Sequence, residues 1–142
     1  MATLRDRLFE PADRHDVPLA SRRGLLAGLF QAALHLVAFA SLFVLGLVLD
    51  VVGSDAARPS ALLFWGAVLG ASAVGVGMVA LATTDRAARI WRVPAARLLT
   101  VLAVYAGFWT IVVLDFTIAL FAGPAFVAGR VAAHGWLFLT RG

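Results

Sequence analysis

The sequence predicts an all-α polytopic membrane protein. Three observations predict it: long apolar runs with at most one charge inside, an apolar fraction above that of soluble domains, and arginines gathered beside the runs. The chain is 62% hydrophobic and 14% charged, against roughly 45–50% and about 25% in ordinary soluble domains. At 142 residues it has room for one domain. A soluble fold of that size has no interior large enough for so much apolar surface, so lipid or partner helices must cover it.

Residues 1–23 read as a cytoplasmic N-terminal segment of mixed charge, with Leu4, Leu8 and Phe9 on one face of a short surface helix. Pro11 and Pro18 interrupt it, and Asp16 with Pro18 reads as the start signal of the next helix. The first apolar run, residues 24–49, carries no formal charge. About 20 apolar residues cross a bilayer core, so it spans with some tilt. It is also longer than the roughly 7–15 residues of a signal-peptide core, and is expected to be a retained helix.

A short turn carrying Asp50, Asp55, Arg58 and Pro59 leads to the second run, residues 60–84, with Trp65 near one end where interfacial aromatics belong. Residues 85–97 form an Arg-rich segment, with Arg86, Arg89, Arg92 and Arg97 against Asp85. The third run, residues 98–122, contains one acid, Asp115, and ends at Gly123-Pro124, which reads as a break. Basic residues favour the cytoplasmic side. The expectation is therefore a multi-pass protein of the cytoplasmic membrane with its N-terminus and its 85–97 segment cytoplasmic.

The tail, residues 124–139, is apolar apart from Arg130 and His134. As a helix it is about 24 Å long, somewhat short of a core of about 30 Å. It reads either as an interfacial helix or as a fourth span, and the span is favoured. A central Arg opposes insertion by roughly 2.5–3.5 kcal/mol. In a hairpin folded at Gly123-Pro124, however, Asp115 and Arg130 would meet at similar depth and neutralise each other.

Three groups of residues are candidates for function. Small residues recur at helix-packing spacing: Gly66, Gly70, Gly75 and Gly77 in the second run, and Gly129 with Ala125 and Ala133 in the tail. Such rows let backbones approach closely where lipid offers no hydrophobic driving force. Gln31 and His35 lie one turn apart in the first run. His35, with His134 at similar depth, would offer two imidazoles to a haem, or one to a chlorin or quinone. Asp115 and Arg130 are the charged residues expected within the membrane, where transport and proton-relay groups occur.

The composition also excludes chemistry. With no Cys there are no disulfides, thiolate metal sites or cysteine nucleophiles. No phosphate loop, HExxH or GxSxG is present, and no metal-ligand cluster. The net charge of +4 comes from arginines beside the apolar runs, which suits anionic head groups rather than nucleic acid. The expected function is a non-catalytic membrane protein acting by helix packing, as an accessory subunit of a larger complex or as a homo-oligomer. Its expected partners are the bilayer and other membrane subunits or copies of itself, with no cofactor. The alternatives are a small transporter or channel component using Asp115 and Arg130, and a haem-, pigment- or quinone-binding electron-transfer subunit using His35 and His134.

Overall fold

An uncharged run in lipid satisfies its backbone N–H and C=O groups only within itself, so it must be helical. The computed structural model describes residues 3–11, 18–51 and 60–141, and its regular elements are all helices. They are α1 (Leu4–Phe9), α2 (Arg22–Val48), α3 (Ala61–Ala82), α4 (Asp85–Trp91), α5 (Pro94–Leu114) and α6 (Phe116–Arg141). Four of them, α2, α3, α5 and α6, are long and apolar enough to cross a membrane.

Most starts follow ordinary capping chemistry, in which a short polar side chain accepts an N–H left free in the first turn. Ser21 accepts from Gly24 N–H at 3.0 Å, Ser60 from Leu63 at 3.2 Å and Thr84 from Ala87 at 3.3 Å. Pro94 occupies the first turn of α5, where its missing N–H costs nothing. The expected cap Asp16 and most of the turn after the first run (residues 52–59) lie outside the described residues; α2 is capped by Ser21 instead. At its other end, Val51 N–H bonds the Gly46 carbonyl and Asp50 N–H that of Leu47. This is a Schellman closure with Asp50 in the left-handed region, φ 52°. The Arg-rich stretch holds the short helix α4 and then the first turn of α5, which contains Arg97.

The largest departure from the sequence reading is where the last two spans divide. The break is at Asp115, not at Gly123-Pro124. Asp115 alone separates α5 from α6, in an extended conformation, and Pro124 lies inside α6. Two local facts explain this. Asp115 ends α5 with its own N–H on the Ile111 carbonyl, while its Oδ1 accepts from Ile118 N–H at 2.9 Å. Its carboxylate thus caps α6, where the helix dipole favours negative charge. Gly123, meanwhile, is needed for contact rather than for a turn: a Cβ there would lie 3.0 Å from the Phe108 ring. The fourth span is therefore 26 residues long, about 39 Å by helical rise, enough to cross.

α6 is the central element, packing against α2, α3 and α5, while among the described residues no Cα of α2 comes within 8 Å of one of α3. The core is formed by Phe39, Phe108, Val112, Ala119 and Phe126. Phe39 is its hub, with ring centroids 4.4 Å from Phe108 and 5.6 Å from both Tyr105 and Phe126. These aromatic pairs add about 0.5–1.5 kcal/mol each beyond area burial. On α3 and α6 contact is backbone to backbone: a Cβ at Gly75 would overlap the Phe126 carbonyl, and one at Gly129 the Ser72 carbonyl. Small residues allow this approach, and no larger side chain fits.

Candidate functional site

The antiparallel seam of α2 and α6 carries the polar residues of the interior in successive layers. Nearest the α5–α6 turn, Phe43 packs on Phe116 at 4.8 Å. Below it Phe39 meets the Gly123 region, and below that His35 lies 5.7 Å from Phe126 and 5.8 Å from Tyr105. Next, Arg130 Nη2 donates to Gln31 Oε1 at 3.2 Å. In the last layer the His134 ring lies on Gly28, where a Cβ would come within 2.6 Å of its carbons. Positions 28, 31, 35 and 39 on α2 advance by three or four residues, which puts them on one helical face.

Arg130 and His134 are 8% and 3% exposed, the two buried polar or charged residues among those described. Neither is fully partnered. Among the described residues Arg130 Nε and both ring nitrogens of His134 have no hydrogen-bond partner. Buried polar groups are otherwise nearly always satisfied. His35 differs, because its Nδ1 donates to the Gln31 carbonyl one turn back at 2.7 Å. That bond occupies one nitrogen and packs the ring among aromatics.

Several residues singled out in the sequence thus come together, and others do not. Gln31 and Arg130 are joined. Asp115 and Arg130 do not meet: they are fifteen residues apart on one continuous helix path, about 22 Å along its axis, and each has its own partner. His35 and His134 occupy different layers. His134 lies at Gly28, seven residues before His35, which separates them by about 10 Å along α2. Two imidazoles on opposite faces of a single haem iron would need one level. Gly28, which the sequence places on the same face as Gln31 and His35 at small-residue spacing from Gly24, receives the His134 ring, while Tyr105 carries no charge or motif by which the sequence could have marked it. Among the described residues no group of three His, Asp or Glu could hold a metal ion.

The small-residue positions divide by face. Gly75 and Gly129 fill the α3–α6 crossing, whereas Gly66, Gly70 and Gly77 have nothing within 4 Å of a Cβ. At about 3.6 residues per turn, positions 66, 70, 73, 77 and 80 fall on the side of α3 opposite Gly75. They form a shallow groove of Gly and Ala between ridges that include Leu62, Leu69, Leu63 and Val74, all exposed.

No curated protein matches this chain, and neither does any solved structure. Across residues 1–141 it matches the model of the family described as domain of unknown function DUF8100, and the chain belongs to that family.

Proposed function

We propose that this protein is a non-catalytic integral membrane subunit that acts through helix packing, associating with copies of itself or with other membrane proteins. The observation that carries this reading is the unfilled groove on α3. Its small residues step by four, three, four and three from Gly66 to Ala80, the spacing of a left-handed helix pair. The opposite face of the same helix already uses a glycine, Gly75, for contact with α6, so the groove is surplus to the internal packing. The distribution of arginine supports a cytoplasmic N-terminus in the cytoplasmic membrane, which with four spans sets both termini on that side. The transporter reading through Asp115 and Arg130 loses support because the two do not meet, and the haem reading because His35 and His134 sit in different layers.

Cross-linking in native membranes followed by purification in mild detergent tests the proposal. Wild type is expected as a specific oligomer or complex. Gly66→Leu and Gly77→Leu fill open space and should leave the fold intact while abolishing that species. A wild-type chain that is monomeric with no co-purifying subunit, or variants that assemble as wild type does, would rule it out.

A further inference from the structure

An arginine held between spanning helices needs a counter-charge. Left uncompensated, a buried charge is strongly destabilising. Among the described residues Arg130 bonds only the neutral side-chain amide oxygen of Gln31, and its Nε has no partner. The helices around it supply no acid: α2, α3 and α5 contain no Asp or Glu, and Asp115 caps the far end of α6. One turn further along α6, His134 presents two more unpartnered ring nitrogens, more than nine-tenths buried. A guanidinium and an imidazole with free N–H groups, four residues apart on one helix face and without a carboxylate, are a donor set for an oxyanion.

Access and depth narrow the ligand. Gln31 is exposed although it bonds Arg130, so the site opens past it to the bundle's outer surface. Arg130 lies against both flanking helices: its side chain reaches α2, and its backbone N–H passes the Gly75 position of α3. Among the described residues no Cα of α2 comes within 8 Å of one of α3. The opening is therefore lateral, towards acyl chains. His134 and Arg130 are seven and eleven residues from the end of α6, about 10 and 16 Å along the axis. An acid group entering from lipid with an alkyl tail reaches that depth without leaving its tail in water.

We propose that Arg130, His134 and Gln31 form a binding site for the carboxylate or phosphate group of a single-chain amphiphile, entered from the lipid side between α2 and α3. The guanidinium carries the charge complement, His134 donates a second hydrogen bond, and the Gln31 side chain holds the guanidinium in place. This site does not depend on the α3 groove, which faces the other way.

The full chain in phosphatidylcholine nanodiscs tests it, with dodecanoate and dodecyl phosphate as probes, dodecanol as the neutral control, and inorganic phosphate and acetate as tail-free anions. Native mass spectrometry and calorimetric titration read binding. At least one of the two amphiphilic anions is expected to bind tenfold or more tightly than dodecanol, and Arg130→Gln should bring that preference to within twofold. Tail-free anions should bind at least tenfold more weakly. If they bind equally well, the site is for a soluble oxyanion and the lipid-side entry is wrong. Equal binding of dodecanol and the anions, or an unchanged preference in Arg130→Gln, overturns the site altogether. Should Arg130→Gln not fold, His134→Ala must weaken anion binding at least threefold, and unchanged binding there overturns it equally.

Discussion

Asp115 illustrates how a single residue's role depends on its backbone position. In the sequence it is an acid inside an apolar run, and an acid in lipid suggests a counter-ion or a transport group. In the structure it stands between two helices and accepts the Ile118 N–H. That role needs an oxygen acceptor but not a charge, so the two conservative variants separate the readings. Asp115→Asn should keep the stability of the wild type within a few tenths of a kcal/mol, since Asn caps as well as Asp, while Asp115→Ala should cost about 0.5–2 kcal/mol. Denaturation by increasing harsh-detergent fraction, read by circular dichroism, checks both. Equal loss in the two variants would mean that the charge matters. Asp6 has a comparable part in α1, where it forms a capping box with Thr3. Its carboxyl is held below its ordinary 3.8 by the Thr3 side chain and then by the Thr3 backbone N–H. A depressed carboxyl stabilises the helix above its unfolded value, and the effect is lost as pH falls through the lower, folded one. The α1 amides should therefore keep their protection from pH 7 down to about 4 and lose it only below the ordinary carboxylate range, as hydrogen exchange followed by NMR would record. Loss of protection well above pH 4 would contradict the capping box.

At the level of elements, the difference between sequence and structure concerns α6. Gly and Pro are the strongest turn signals in a chain, and Gly123-Pro124 accordingly reads as the end of a span. Within the bundle both are accommodated in a continuous helix. Gly123 gives room to the Phe108 ring, and Pro interrupts a buried spanning helix less than it would a soluble one, because neighbouring helices and local adjustments satisfy the freed carbonyl. The polar seam was legible only in part. Gln31, His35, Arg130 and His134 stand out because polar residues are rare in apolar runs, but their layering depends on the α2–α6 register. Moving the turn from Gly123 to Asp115 re-pairs every layer. Arg130 then lies opposite Gln31 rather than Asp115, and His134 opposite Gly28 rather than His35. Backbone approach was less legible still. Gly66 and Gly75 look alike in sequence, and only the packing distinguishes a filled position from an open one.

For the whole molecule, composition and run length already specify a helical membrane bundle, because lipid admits few other structures. They leave open whether the tail crosses, since a run counted from Pro124 is short and contains Arg130. Counted from Phe116, the same tail is a full span and the most buried of the four. α6 is then the element on which α2, α3 and α5 assemble, rather than an appendage at the surface, and both the polar seam and the α3–α6 crossing require it to be inserted. The chain has no cysteine, so single cysteines can be introduced without background. The most direct measurement is the sidedness of labelling by a membrane-impermeant maleimide in oriented vesicles, comparing Thr3→Cys, Thr117→Cys and Thr140→Cys. Four spans predict that positions 3 and 140 are labelled from one side and position 117 from the other. Labelling of positions 117 and 140 from the same side would contradict the crossing of α6 and, with it, the bundle described above.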